Sequence, residues 1–190
     1  MKAIAFNGSP KKDGNTAHML KLVLADLEND GIETEFVQVG GEPVRGCRAC
    51  GVCRQKKDMR CVITEDKINE WVLKMADADV ILIGSPTYFA GLTPETKALI
   101  DRCGYVSRSN GGILKRKIGA AVAVARRAGA VQVFDSINHF FTISEMIIPG
   151  STYWNLSLSL VPGDFEKDAE GNATMHSLAE NIAWLMKKLK

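Results

Sequence analysis

The sequence predicts an α/β protein: a five-stranded parallel sheet with helices on both faces. Short apolar, β-rich runs alternate with longer segments of helical period, the pattern of βαβ units. Right-handed crossovers between parallel strands then distribute helices over both faces of the sheet. A chain of 190 residues is long enough to bury a core without disulfides, and a single domain over 1–190 is expected.

The first strand is expected at 2–7, where Ala3-Ile4-Ala5-Phe6 is apolar throughout. A helix at 15–29 follows, with Leu20, Val23, Leu24 and Leu27 on one face, Lys21, Asp26 and Glu28 on the other, and Gly31 as its C-terminal stop. The second strand is expected at 33–39, and the connection 40–64 has almost no apolar periodicity. Connections of that length are usually functional or disordered. A helix at 65–76 leads to the third strand at 80–84, Val80-Ile81-Leu82-Ile83-Gly84. Helix 94–103 opens on Pro94, a first-turn residue, and precedes the fourth strand at 117–124. Helix 129–144, the fifth strand at 146–149 and helix 174–189 complete the order. In the last helix Leu178, Ile182, Leu185 and Met186 keep helical spacing, and Lys187, Lys188 and Lys190 sit near the negative end of its dipole.

Between the first strand and first helix runs Gly8-Ser9-Pro10-Lys11-Lys12-Asp13-Gly14-Asn15-Thr16. A small polar loop opening a helix points N–H groups and hydroxyls at an anion, and the helix dipole adds positive potential. Ser9, Asn15 and Thr16 are the candidate phosphate donors, with Lys11, Gly14 and Ala17 beside them. The same residue types also shape turns and cap helices with no ligand at all. Neither a Walker A ending nor G-x-G-x-x-G is present, which disfavours nucleoside triphosphates and dinucleotides.

A second loop, Gly84-Ser85-Pro86-Thr87-Tyr88-Phe89-Ala90-Gly91-Leu92-Thr93-Pro94, follows the third strand. Ligands of doubly wound sheets bind outside the carboxyl ends of the strands where the strand order reverses. Pro86, Thr87, Tyr88, Phe89, Ala90 and Gly91 offer backbone amides beside rings that suit a flat heterocycle such as isoalloxazine; packing aromatics are the plainer alternative.

On these loops the chain resembles the NADPH-dependent FMN reductase and flavodoxin-like superfamily. Gly8-Ser9-Pro10 through Asn15-Thr16-Ala17 looks like its phosphate loop, and Ser85-Pro86-Thr87-Tyr88-Phe89 like its flavin-ring loop. The likeness extends to Lys97-Ala98-Leu99-Ile100-Asp101-Arg102 and to Ala125-Arg126-Arg127-Ala128-Gly129-Ala130. It implies a flavodoxin-like three-layer sandwich of strand order 2-1-3-4-5 that binds flavin mononucleotide (FMN). It also implies that Ala125, Arg126, Arg127 and Gly129 touch the flavin, where a cation would stabilise its reduced, anionic form. The alternative for Arg126 and Arg127 is a solvated pair at a helix start, where the dipole makes positive charge mildly unfavourable.

Cys47-x2-Cys50-x2-Cys53-x7-Cys61 places four of the five cysteines on the 40–64 loop. Four thiolates on one irregular loop can converge on a soft-metal centre. Tetrahedral zinc usually draws its ligands as two separated pairs, so iron–sulfur fits the spacing better; zinc and unliganded thiols stay open. Arg45, Arg48, Arg54, Lys56, Lys57 and Arg60 would offset the charge of an all-thiolate cluster. Here the chain is similar to the iron–sulfur flavoproteins, a branch of the same superfamily, which implies a [4Fe-4S] cluster on these cysteines. Cys103 stands apart as a core residue, and His18, His139 and His176 read as structural or surface residues.

The leading expectation is an electron carrier in which FMN and the cluster exchange electrons with a redox partner such as a ferredoxin, or with a small-molecule acceptor. An NAD(P)H-dependent reductase of flavin or quinone without a cluster is the second reading, and a zinc-knuckle binding module is the third. The resemblance implies a homodimer or homotetramer, to which Trp71, Tyr153 and Trp154 could contribute if they are not core residues. A formal net charge of +2 names no nucleic-acid partner, and no apolar run approaches the roughly 20 residues of a membrane span. A cytoplasmic location is expected.

Overall fold

The computed structural model describes residues 1–189. Five parallel strands, β1 (Lys2–Asn7), β2 (Glu33–Gln38), β3 (Val80–Pro86), β4 (Ile118–Ala125) and β5 (Leu156–Leu158), form one sheet of order β2-β1-β3-β4-β5. The helices are α1 (Asn15–Asn29), α2 (Val52–Lys56), α3 (Ile68–Asp77), α4 (Pro94–Ser109), α5 (Ala130–Ile143) and α6 (Ala169–Lys188).

Side chains alternate across the pleat, and both faces are covered. Ala3, Ala5, Val80, Leu82 and Val122 pack against α1 and α6 through Leu20, Val23, Leu27, Leu178 and Ile182. Ile4, Phe6, Ile81, Ile83 and Ala121 pack against α3, α4 and α5 through Trp71, Met75, Leu99, Val133 and Phe141. A strand buried on both faces reads as a continuous apolar run, which is why β1, β3 and β4 were legible without alternation. Strand β1 lies between β2 and β3, and the connections after β1 and β3 lead to opposite faces of the sheet, through α1 and α4, which makes the ends of these two strands the switch point.

The expected fifth strand at 146–149 is a correction. Ile147 makes a single isolated bridge to Ile118, and the chain then leaves the sheet at Pro149, which has no N–H to donate. It returns at β5, whose Ser157 is buried while Leu158 is exposed, an inverted edge-strand pattern that hydrophobic alternation does not detect. Helix α6 begins at Ala169 rather than 174: the Asp168 carboxylate accepts the Gly171 N–H and caps it ahead of the poor helix formers Gly171 and Asn172. Helix α4 continues past Cys103 to Ser109, its last turns keeping Cys103, Val106 and Ser107 buried. The short helix α2 lies inside the 40–64 loop. Trp71 is buried, whereas Tyr153 and Trp154 are half-exposed and in contact, their ring centroids 5.0 Å apart. Among the described residues, no helix is long and apolar enough to cross a membrane.

Candidate cofactor sites

The loop after β1 is wedged against its neighbours. The Gly8 N–H donates to the Gly84 carbonyl at 2.7 Å, and a Cβ on Gly8 would stand 1.9 Å from Thr96 Oγ1. A Cβ on Gly40 would lie 2.2 Å from the Ser9 carbonyl carbon, so β2 also exits through a glycine. Asn7 holds the loop from within, accepting the Ser9 N–H at 3.1 Å and donating to Gln38 Oε1 at 2.8 Å.

Helix α1 starts after Gly14, which has no side chain to cap it, and its first turn carries no acidic residue. The leading N–H groups of a helix have no intrahelical acceptor, so Asn15, Thr16 and Ala17 present donors at the positive end of the dipole. A helix start with no side-chain cap and no acidic residue in its first turn fits a phosphate. Ser9 and Thr16 are buried here, and Lys11 is exposed at the rim. The side chain of Asn15 is turned elsewhere: its Nδ2 donates to Val161 O at 2.9 Å, and its Oδ1 accepts the Gly163 and Phe165 N–H groups at 3.2 and 3.3 Å. Asn15 therefore offers an anion its backbone N–H, and its amide fastens the segment 161–165 against the loop.

The loop after β3 is tied to the first one. Thr93 Oγ1 donates to the Gly8 carbonyl at 2.8 Å, while Ser85 Oγ accepts the Thr93 N–H at 3.2 Å. Pro86 ends the strand and Thr87 N–H donates to Val124 O at 2.7 Å. Tyr88 and Gly91 then pair backbone to backbone at 2.9 and 3.0 Å, and Phe89 and Ala90 turn between them with φ of +50° and +59°. Phe89 is fully exposed and Tyr88 half so. Thr87 Oγ1 is buried without a hydrogen-bond partner, a free polar atom in the loop expected to face the flavin.

The third loop closes on the second. Gly129 has φ of +90°, and a Cβ there would lie 2.9 Å from Thr87 Cγ2 and 3.1 Å from Ala90 Cα. Ala125 is buried at the end of β4, and Arg126 and Arg127 are both exposed. The loops after β1, β3 and β4 are thus locked together by contacts that tolerate only glycine at Gly8 and Gly129.

Cys47, Cys50, Cys53 and Cys61 all line one cavity of about 210 Å³. A water molecule occupies about 30 Å³ of liquid, so this space accommodates a multi-atom body. The thiols surround the cavity without meeting at one point: among the described residues no three His, Cys, Asp or Glu side chains are grouped closely enough to hold a single ion. The Val52 N–H at the start of α2, helped by Arg48, lowers the pKa of the exposed Cys50 thiol. Burial pushes the Cys103 thiol far above its ordinary value, consistent with a core residue.

Cys61 is brought across its seven-residue gap by helices α3 and α4. Asn69 accepts the Cys61 N–H at 2.7 Å and donates to the carbonyls of Cys61 and Ile63 at 3.0 and 3.1 Å. Arg102 reaches from α4, its Nε donating to Cys61 Sγ at 3.3 Å and its remaining nitrogens to Asp66, Arg45 O and Ile63 O. Asn69 did not stand out in the sequence and Arg102 did so only as the end of a family-like run, although an arginine among Leu99, Ile100 and Cys103 on a buried helix face is the sign that could have found its role. A groove of about 1130 Å³ between α4 and α5 runs from Gly91 and Leu92 to Arg54 and Lys57, with Lys97, Arg108 and His139 along it.

His18, expected as a structural or surface residue, has a structural role. It lies between two carboxylates, with Nε2 2.9 Å from Asp13 Oδ1 and Nδ1 against Glu166, a residue 148 positions away.

The sheet order and the loops at its switch point define a flavodoxin-like fold, and the family that the sequence matches makes the chain a flavin-dependent oxidoreductase. A family model described as NADPH-dependent FMN reductase matches residues 1–160, and the chain belongs to that family, in its iron–sulfur flavoprotein branch. It is 34% identical over 197 residues to an iron–sulfur flavoprotein of Methanocaldococcus jannaschii, covering 100% of both chains. An iron–sulfur flavoprotein of Methanosarcina thermophila is 33% identical over 184 residues, covering 96% of this chain and 93% of its own. Among solved structures, a flavodoxin, WrbA-like protein from Agrobacterium tumefaciens superposes with a TM-score of 0.67 at 12% identity, covering 100% of this chain and 98% of that one. RosB with a bound riboflavin-phosphate intermediate superposes at 0.75 and 18% identity, covering 100% and 80%. These two likenesses are of fold.

Proposed function

We propose that the chain is a two-centre electron carrier, with FMN on the three switch-point loops and a [4Fe-4S] cluster on Cys47, Cys50, Cys53 and Cys61. The observation that carries this reading is the placement of all four cysteines around one cavity of about 210 Å³ in a flavin-binding fold. The names of the relatives support it. FMN supplies paired or single electrons, and the cluster passes them singly.

The protein's part is binding and electrostatics. The N–H groups of Asn15, Thr16 and Ala17 with the Ser9 and Thr16 hydroxyls hold the phosphate, and Lys11 adds charge at the rim. Thr87, Tyr88, Phe89, Ala90 and Gly91 border the ring, and Arg126 or Arg127 supplies positive charge as the flavin is reduced. The basic residues Arg54, Lys57, Lys97 and Arg108 favour encounter with an acidic redox partner such as a ferredoxin. The exposed Tyr153–Trp154 pair is a candidate contact between copies in a homodimer or homotetramer, and a cytoplasmic setting suits reduced thiols.

Direct NAD(P)H-dependent reduction of a small acceptor is the second reading, favoured by the description of the matched family and by the open groove that reaches the ring loop. Iron, sulfide and zinc analysis of protein purified without oxygen tests the proposal. Iron and sulfide in equal amounts, lost in Cys50→Ser, support it; FMN without iron leaves the NAD(P)H reductase, and zinc alone refutes the cluster.

A further inference from the structure

We propose that Arg102 is a positioning residue that sets the reduction potential of the centre held by the cysteine loop. The inference rests on the cluster reading above and concerns a residue that supplies no ligand to it.

The guanidinium is sealed inside the protein, its side chain 0% exposed and that of its carboxylate partner Asp66 3%. Isolated charges are rarely buried, because desolvation costs several kcal/mol per ion unless bonds replace the lost water. Bonds replace most of that water: Asp66 and two backbone carbonyls, Arg45 O at 3.1 Å and Ile63 O at 3.0 Å, take donors from Nη1 and Nη2. The Nε–H points at Cys61 Sγ at 3.3 Å, and sulfur is a weak acceptor until it is a thiolate.

Those bonds bind three positions of the same loop, Arg45, Cys61 and Ile63, to one helix, so the guanidinium fixes where Cys61 stands. Hydrogen bonds to cluster sulfurs and net charge nearby are the means by which a protein sets such a potential. A cluster that accepts one electron becomes one unit more negative, and a fixed cation 3.3 Å from a ligand sulfur favours that form. The Asp66 carboxylate partly offsets the effect, so the two residues pull the potential in opposite directions.

The test is a redox titration of the anaerobic holoprotein, following the cluster by electron paramagnetic resonance and the flavin by absorbance. In Arg102→Gln the cluster is expected to be harder to reduce by about tenfold in the equilibrium constant, a fall of about 59 mV for one electron. The flavin midpoint should stay in place, Arg102→Lys should restore most of the loss, and Asp66→Asn should shift the cluster upward. Asp66→Asn and Arg102→Lys keep the test decisive if Arg102→Gln does not fold. Full iron content with unmoved cluster midpoints overturns the inference, as does loss of iron from both Arg102 variants with Asp66→Asn unshifted; either leaves Arg102 as a brace. A wild-type protein that carries FMN but no iron overturns the cluster reading itself, and the inference with it.

Discussion

The hydroxyl of Thr93 donates to the carbonyl of Gly8 at 2.8 Å, joining the loop expected to face the flavin ring to the loop expected to hold its phosphate. The same side chain caps α4 by accepting the Thr96 N–H. Thr93→Val keeps the branched shape but removes these bonds and the one to the Thr96 hydroxyl at 2.7 Å. Denaturant melts are expected to show a loss of about 1–3 kcal/mol, with weaker FMN binding, and Thr93→Ser should recover most of it. Wild-type stability in Thr93→Val would show that the two loops are held by packing alone.

Asn15 combines a backbone N–H at the positive end of α1 with a side chain that fastens 161–165. Asn15→Asp retains the acceptor for Gly163 and Phe165, loses the donor to Val161 and adds negative charge to the anion site. FMN affinity should fall by about tenfold, or ~1.4 kcal/mol, while riboflavin, which lacks the phosphate, is affected far less. An equal loss for both ligands, measured by fluorescence quenching, would place the phosphate elsewhere.

Burial pushes the His18 imidazolium pKa down, but the hydrogen bonds and charges of Asp13 and Glu166 outweigh it and leave the value raised. A raised folded pKa contributes stability that is fully present below the unfolded value of about 6.5 and is lost as pH rises through the folded value. The His18 bond, followed by that of Lys21, holds the Asp13 carboxyl below its ordinary value, so Asp13 stays charged throughout this range. Urea midpoints of the wild type relative to His18→Gln should therefore converge on going from about pH 6 to pH 9; a constant difference would mean that His18 does not titrate in the clasp.

Phe89 and Ala90 occupy left-handed backbone at φ of +50° and +59°, positions where Asn-Gly is preferred. Ala90→Gly should relieve that strain and raise apoprotein stability by about 0.5–1 kcal/mol in thermal melts. A destabilised variant would mean that contacts of the Ala90 methyl outweigh the strain.

Strands β1, β3 and β4 were legible because doubly covered strands are apolar throughout, and the switch-point loops because glycine and proline punctuate them. Strand β5 was not, since burying Ser157 and exposing Leu158 inverts the usual signal. The spacing of the cysteines showed that they could share a centre, but not what steers Cys61 into place. That role falls to Asn69 and Arg102, and only the packing of α3 and α4 brings them to the loop. The His18 clasp was hidden for the same reason, because Glu166 lies at the far end of the chain.

The central claim, that one chain carries both a flavin and a single-electron centre, is tested most directly by counting electrons. Protein purified without oxygen is titrated with dithionite, and flavin absorbance and paramagnetic resonance are recorded on the same samples. About three electron equivalents per chain are expected, two for FMN and one for the cluster, falling to about two in Cys50→Ser. A wild-type end point of about two, with no cluster signal at any stage, would contradict the account and leave a flavin reductase whose cysteine loop takes no part in electron transfer.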